Sequence, residues 1–142
     1  MAVCLVVLSI LSLVLRQSAS CASRAGSEPR WVLVSSSTVA TVYNAVPAQC
    51  NSQPLVTASG FHLEKEKIPS YRIIAMERTM MNQYGLSYGD VVKVEGAGEY
   101  DGLWQIHDTM NRRFAGKHKI DFLVPENIRH GKWDNVRVYK KY

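Results

Sequence analysis

The sequence predicts a small all-β domain, either a barrel or a sandwich, in residues 37–142. Six or more short runs of β-branched and aromatic residues recur along this part of the chain, and turn residues separate them. Only one segment has the composition of a helix. A closed barrel is favoured because closure removes exposed strand edges, although the strand pattern alone does not say which barrel.

The strands are predicted from composition and from the alternation of apolar and polar residues. Residues 71–76 (YRIIAM) are apolar enough for a buried strand, whereas residues 135–140 (NVRVYK) alternate strictly, as a half-buried strand does. A helix is predicted at residues 77–84 (ERTMMNQY), which include good helix formers and neither glycine nor proline. The predicted strands are residues 39–43, 54–57, 71–76, 90–95, 102–108, 119–124 and 135–140.

The first part of the chain has the pattern of a signal peptide. Residues 2–15 are almost continuously apolar, and they are followed by Arg16 and the small residues 18–21 (SASC). The apolar run is shorter than a membrane-spanning helix, which needs about 20 residues. We therefore expect an exported protein, with residues 1–21 as a signal peptide and residues 22–36 as a tether that leads into the domain.

The cysteines leave two alternatives open. Cys21 stands where a bacterial lipoprotein carries its lipid, but Ser18 occupies the position that usually holds leucine. Lipidation would attach the protein to a membrane through Cys21 and leave Cys50 without a partner, whereas soluble export would allow a disulfide between the two. No cysteine or histidine has zinc-like spacing, so no metal site is expected.

The chain is basic. Its net charge is +5, and residues 22–142 keep 16 basic and 12 acidic residues, a net charge of +4. For an exported protein the available polyanions are cell-wall polymers and membrane head groups rather than nucleic acid. One basic cluster, which comprises Arg112, Arg113, Lys117 and Lys119, is interpreted as a solvated loop rather than a binding patch.

Two aspartates are candidates for chemistry because each interrupts or ends an apolar strand. Asp108 closes residues 102–108 (GLWQIHD), and Asp121 lies within residues 119–124 (KIDFLV). Such a carboxylate must face solvent, find a partner or sit in a cleft with a shifted pKa. The alternatives are that Asp108 starts a turn and that Asp121 faces solvent. His107 is a candidate proton carrier, with a structural role as its alternative.

Other catalytic motifs are missing from the sequence. No serine or cysteine lies in a nucleophile motif such as GxSxG. Residues 96–98 (GAG) are not the start of a dinucleotide site, because Asp101 stands at the third glycine position and a strand follows. No cofactor is expected.

Seven short motifs follow one another along the predicted domain. They are Thr41-Val42-Tyr43, Thr57-Ala58-Ser59-Gly60, Ile73-Ile74-Ala75-Met76-Glu77, Gly89-Asp90-Val91-Val92-Lys93-Val94, His107-Asp108-Thr109, Lys119-Ile120-Asp121-Phe122 and Gly131-Lys132-Trp133. In this order they resemble the three-aspartate (3D) domain of bacterial cell-wall enzymes, which occurs in the membrane-bound lytic transglycosylase A family and in stationary-phase survival proteins. Neighbours of that domain include rare lipoprotein A and expansin-like proteins. The resemblance spans about 100 residues and implies a six-stranded double-psi β-barrel in the periplasm or cell envelope.

The resemblance also implies the residues of a site. Asp108 and Asp121 match two aspartates of the family, and Glu77 stands at the position of the third. The segment after the Asp-Thr pair is glycine-rich in the family but reads MNRR here, at residues 110–113, and these larger side chains would narrow the groove or change its ligand. The implied substrate-binding residues are Tyr43, Thr57, His107 and Thr109.

The implied activity is cleavage of the β-1,4 bond between N-acetylmuramic acid and N-acetylglucosamine. A lytic transglycosylase uses the muramoyl 6-hydroxyl as an internal nucleophile, so one carboxyl group with a raised pKa can serve as acid and then as base. We expect Asp108 or Asp121 to be that group and Glu77 to tune its pKa. The protein is expected to act as a monomer on peptidoglycan glycan strands.

The alternative function is a non-catalytic glycan-binding barrel of the expansin-like kind, and a structural envelope protein is a third. Binding would use aromatic rings that stack on sugars, such as Tyr43, Trp104 and Trp133, although the two tryptophans are expected to pack in the core. The enzyme hypothesis instead predicts that three carboxylates converge in one open groove.

Overall fold

A computed structural model describes residues 28–50 and 52–142 of the protein. The predicted signal peptide, Cys21 and the first part of the predicted tether lie outside the described residues. Within those two ranges, no helix is long and apolar enough to cross a membrane.

Six strands form a closed barrel, as the sequence predicted, and one short α-helix accompanies them. The elements are β1 (Trp31–Tyr43), β2 (Ile73–Met76), α1 (Arg78–Tyr84), β3 (Val91–Glu95), β4 (Gly102–Thr109), β5 (Lys119–Leu123) and β6 (Lys132–Lys141), with 3-10 helices at Lys65–Ser70, Gly98–Tyr100 and Arg112–Phe114. Around the barrel the order is β1-β5-β2-β4-β3-β6, and β6 returns to β1. This closed, mixed barrel is compatible with a double-psi arrangement.

The barrel combines parallel and antiparallel pairs. β1 runs parallel to β5 and antiparallel to β6, while β2 runs parallel to β4 and antiparallel to β5. β3 is antiparallel to both of its neighbours. The long connection from β1 to β2, residues 44–72, packs on the outside of the wall through a second apolar cluster. That cluster contains Tyr43, Ala45, Leu63, Ile68, Ile73, Ala75, Met110 and Leu123.

The barrel interior is filled by side chains from alternate positions of the strands. These include Ala40, Ile74, Met76, Val92, Val94, Trp104, Ile106, Ile120, Phe122, Val136 and Val138. Successive residues of a strand point to opposite faces. Thr41, Ala75 and Asp121, which lie next to interior residues in their strands, therefore point to the outer face.

β1 begins at Trp31, inside the segment that was predicted to be a tether. Residues 31–35 pair with the end of β6, so they belong to the barrel wall. The three serines at 35–37 have low β-propensity, and register shifts interrupt the alternation there, which hides the strand from a sequence pattern. The strand predicted at residues 54–57 is reduced to a single bridge between Val56 and His62.

Candidate functional site

One row of residues crosses four neighbouring strands on the outer face of the barrel. Asp121 on β5 lies opposite Thr41 on β1 and opposite Ala75 on β2. Ala75 in turn lies opposite Asp108 on β4. Residues that are opposite each other in paired strands project from the same face. The two aspartates therefore share one face, with only the small side chain of Ala75 between them.

A β-bulge in β4 brings Asp108 to this face. β2 and β4 stay in register up to Ile106, but the next residue of β2, Ala75, lies opposite Asp108 rather than His107. With strict alternation, Asp108 would point into the barrel beside the fully buried Ile106. The carbonyl of the extra residue, His107, accepts a hydrogen bond from the N–H of Ser59.

The two aspartates lie in an open groove of about 890 Å³. Its floor is the row described above, and its walls come from the segment after β1 and from the connection between β4 and β5. A groove of this size on the barrel surface has room for part of a polymeric ligand. The side chains around the floor include Tyr43, Gln49, Cys50, Arg78, Thr109, Met110, Asn111, Arg112, Arg113, Phe114 and Lys119.

Asp121 is largely buried in the floor of the groove. Its side chain is 17% exposed, and Oδ1 accepts a hydrogen bond from the hydroxyl of Thr41 and lies 3.4 Å from Nζ of Lys119. Burial raises the pKa of Asp121 to about 6, against the opposing effect of Lys119. A carboxyl group with this pKa can hold a proton near neutral pH and release it during a reaction.

Asp108 lies in a different environment, with three hydrogen-bond donors around it. Oδ1 accepts from the N–H of Ala58 at 3.1 Å and from the N–H of Thr109 at 2.9 Å. Oδ2 accepts from the hydroxyl of Tyr43 at 3.2 Å. Both oxygens of Asp108 act as hydrogen-bond acceptors. The two aspartates therefore lie in different surroundings, with Asp121 largely buried and Asp108 held by three donors.

Two of the implied substrate-binding residues, Tyr43 and Thr109, line the groove. Burial and then the negative charge of Asp108 raise the pKa of Tyr43 well above its ordinary value, so its hydroxyl stays a hydrogen-bond donor. The hydroxyl of Thr109 accepts a hydrogen bond from the hydroxyl of Tyr88 at 3.4 Å. Both residues therefore act partly by holding their neighbours in place.

The other two, Thr57 and His107, lie behind the groove and hold a turn. Oγ1 of Thr57 accepts from the N–H of Phe61 at 3.1 Å and lies 3.0 Å from Oγ of Ser59. Nδ1 of His107 lies 2.9 Å from the same Ser59 hydroxyl, and the His107 ring packs on Phe61 at 4.8 Å. Burial lowers the pKa of His107. These contacts fix the turn that presents the N–H of Ala58 to the groove.

The structure does not bring Glu77 to the groove. Its side chain is buried, with 1% exposed, and caps α1: Oε1 accepts from the N–H of Thr79 at 2.6 Å and Oε2 from the N–H of Met80 at 3.0 Å. Burial by itself raises the pKa of Glu77, but hydrogen bonds from the backbone outweigh it, so the pKa is lowered. Of the three carboxylates that were expected to converge, the groove holds Asp108 and Asp121.

Four basic side chains line the groove, and three of them belong to the cluster that was interpreted as a solvated loop. These are Arg112, Arg113 and Lys119, while the fourth, Arg78, is the first residue of α1. The sequence contained a signal for the cluster, because it lies between the two aspartates on the connection that joins their strands. Nothing in the sequence marked Arg78, and Thr41 was noticed only as part of a motif.

The tryptophans Trp104 and Trp133 pack with the barrel core rather than in the groove. Trp104 is 3% exposed, and its Nε1 donates to the carbonyl of Tyr100 at 2.7 Å. The ring of Trp133 packs on Tyr100 with the centroids 5.0 Å apart. The expectation of core packing is confirmed for Trp104, whereas Trp133 is partly buried and packs against the core. Of the described aromatic residues, Tyr43 and Phe114 line the groove.

In the part of the chain that the structure describes, no group of three or more histidine, cysteine, aspartate or glutamate side chains is arranged to hold a metal ion. Comparison with known proteins finds no family model and no curated protein that matches the chain. The geometry of the groove is therefore the basis for a functional proposal.

Proposed function

We propose that the protein is a 3D-type barrel of the cell envelope that cleaves the β-1,4 bond between N-acetylmuramic acid and N-acetylglucosamine in peptidoglycan. The observation that carries the proposal is Asp121, a largely buried carboxyl group with a pKa near 6 at the floor of an open groove. The order of the motifs in the sequence and the closed six-stranded barrel support the same family.

Asp121 acts first as an acid and then as a base. The protonated carboxyl group donates its proton to the glycosidic oxygen as the bond to C1 of the muramoyl residue breaks. The 6-hydroxyl of that residue then attacks C1 and returns a proton to Asp121, which leaves a 1,6-anhydro ring and consumes no water. Because the nucleophile is tethered to the reacting carbon, a single acid/base group suffices.

The contacts around Asp121 leave one of its oxygens for the substrate. The side chains of Thr41 and Lys119 both contact Oδ1, and no described side chain bonds Oδ2. Asp108, two strands away and thus about 9–10 Å between Cα atoms, supplies a negative charge opposite the positive charge that develops on the sugar ring. Its three hydrogen-bond donors hold the carboxyl group of Asp108 in place.

Mass spectrometry of the soluble products released from peptidoglycan sacculi tests this proposal. We expect anhydromuropeptides from the wild type and roughly 100-fold fewer from Asp121→Asn, because an amide holds no transferable proton. Asp134→Asn changes an exposed aspartate outside the groove and is the matched control. Products with a free reducing end would indicate a hydrolase instead, and an unaffected Asp121→Asn variant would exclude Asp121 as the acid.

A non-catalytic glycan-binding module of the expansin-like kind is the second candidate, and one observation favours it. The side chains of residues 110–113 line the groove at the place where the resembled family has glycines, which reduces the room beside Asp108. In that case the wild type and Asp121→Asn would sediment equally with sacculi, and neither would release products. Asp108→Asn is measured in both assays. If it releases fewer products but still sediments with sacculi, Asp108 is needed for cleavage, and if it no longer sediments, Asp108 is needed for binding.

A further inference from the structure

Three arginines line the groove without an ion pair to any residue in the ranges 28–50 and 52–142. Arg112 and Arg113 lie on the 3-10 helix between β4 and β5, and Arg78 begins α1. All three side chains are exposed. The guanidinium of Arg113 lies over the ring of Phe114, with its central carbon 4.8 Å from the ring centroid.

Two arginines elsewhere in the barrel, Arg72 and Arg137, are engaged by the fold. Arg72 lies 3.9 Å from the ring centroid of Trp104 and donates hydrogen bonds to the carbonyls of Leu103 and Asp101. Arg137 pairs with Glu95 at 3.2 Å. The groove arginines have no such contacts among the described residues, and what needs an explanation is that three of them line the same groove.

The two groove aspartates do not provide that explanation. Asp121 is already engaged by Thr41 and Lys119, and Asp108 accepts three hydrogen bonds from other residues. Neither carboxylate forms an ion pair with a groove arginine. With four basic side chains and two acidic ones, the groove keeps an excess of positive charge. A ligand that carries negative charge would therefore be favoured there.

We propose that Arg78, Arg112 and Arg113 form a subsite for an oxyanion, a carboxylate or phosphate group carried by the cell-wall polymer. This proposal rests on the proposed function, since it names the class of glycan that the same groove selects. Guanidinium groups match both oxyanions because they present paired N–H donors in one plane. Cell-wall polymers carry carboxylates on peptide stems and phosphates on attached secondary polymers, and the two sources can be separated chemically.

Sedimentation-binding isotherms with three preparations of sacculi test the subsite. One preparation is untreated, one has its carboxylates amidated, and one is treated with hydrofluoric acid to remove phosphodiester-linked polymers. We expect Arg112→Ala/Arg113→Ala and Arg78→Ala to weaken binding to untreated sacculi, by about tenfold for the double variant. On the preparation that lacks the recognised group, wild type and variants should bind equally weakly, which identifies the source as carboxylate or phosphate.

Two controls make the result specific to the groove. Arg129→Ala removes an exposed arginine that does not line the groove and should bind like the wild type. Arg112→Lys/Arg113→Lys keeps the charge but not the planar pair of donors, and we expect it to recover binding only in part. Circular dichroism and thermal unfolding verify that the variants remain folded, as expected for exposed side chains.

Several outcomes would overturn the subsite. These are wild-type affinity in the alanine variants, an equal loss of affinity on all three preparations, full recovery by lysine, or no binding of the wild type to any sacculi. The readout is binding, so it is independent of cleavage. A protein that binds through the arginines but releases no products would retain the subsite and refute the catalytic proposal.

Discussion

Asp108 and Asp121 lie at the same level of the barrel wall, on two strands that are separated only by β2. Their surroundings differ in chemistry despite this closeness. Asp121 is largely buried and shares Oδ1 with Thr41 and Lys119, whereas Asp108 receives two backbone N–H groups and a tyrosine hydroxyl. This difference leads to predictions about the pH dependence of cleavage and about the stability of the barrel.

The rate of cleavage should depend on pH through Asp121. An acid must be protonated to donate, so kcat/KM should fall about tenfold per pH unit above a midpoint near pH 6. Lys119→Met removes the neighbouring charge that lowers the pKa of Asp121, so the midpoint should move to higher pH. The measurement is anhydromuropeptide release as a function of pH.

The control is Lys117→Met, which changes an exposed lysine that does not line the groove. A midpoint that stays fixed or moves down in Lys119→Met would contradict this role.

The stability of the barrel should also report on Asp121. Its pKa in the folded protein, about 6, is above the ordinary value of 3.8, so its stabilising contribution is present at low pH and is lost as the pH rises through 6. Asn at this position does not titrate. We therefore compare the free energy of unfolding of Asp121→Asn with that of the wild type at each pH. This difference should be about 2 kcal/mol more favourable to the variant at pH 7.5 than at pH 4. Urea unfolding at both pH values measures this difference, and Asp134→Asn should show none. Equal effects of Asp121→Asn at the two pH values would contradict the raised pKa.

Glu77 should matter for stability rather than for chemistry. Glu77→Ala removes the acceptors of two N–H groups at the start of α1 and should lower the free energy of unfolding by about 1–2 kcal/mol. Glu77→Asp, a preferred capping residue, should recover part of it. The pKa of Glu77 is lowered in the fold, so its contribution is present above the unfolded pKa and is lost as the pH falls through the folded value. The deficit of Glu77→Ala should therefore shrink in acid. Thermal unfolding measures it, with the exposed Glu66→Ala as control. If Glu77→Ala kept its stability but lost cleavage, Glu77 would instead take part in the reaction.

Deletion of His107 should weaken the barrel without changing the face on which Asp108 lies. The deletion leaves Asp108 opposite Ala75 on the outer face, but it removes the bulge and the carbonyl that accepts a hydrogen bond from the N–H of Ser59. We expect the deletion variant to be about 1–3 kcal/mol less stable than a variant that loses only the side chain. His107→Ala keeps the bulge and loses only the contacts with Ser59 and Phe61, which should cost about 1 kcal/mol. Circular dichroism and urea unfolding compare the two, and a deletion variant as stable as His107→Ala would refute the account of the bulge.

The strands were predictable where local pattern and barrel geometry agree. β2, β5 and the second half of β6 are apolar or alternate clearly, and the number and spacing of such runs predicted a small barrel or sandwich. The count of six strands came from the family resemblance. The first half of β1 was missed because its serines lack β-propensity and its pairing with β6 stabilises it instead. Long-range pairing of this kind leaves little mark on the local sequence.

The site was predictable only in part, for three physical reasons. The position of Asp108 depends on a one-residue slip between two strands, and such register is decided by the partner strand. Glu77 is not a preferred capping residue type, so its role at the start of α1 was not apparent. The sequence shows that the basic cluster lies between the two aspartates. It does not show whether these side chains face the groove, because that depends on the path of the connection between β4 and β5.

The pairing of β1 with both β5 and β6 has a consequence for how the chain folds. The first strand of the barrel pairs with the two strands that come latest in its sequence, so the ring cannot close until β6, Lys132–Lys141, has been synthesised. Contacts this distant in sequence make folding slow compared with a helical bundle of equal size. A chain that ends before β6 would leave β1 and β3 with open hydrogen-bonding edges, ready to pair with another molecule.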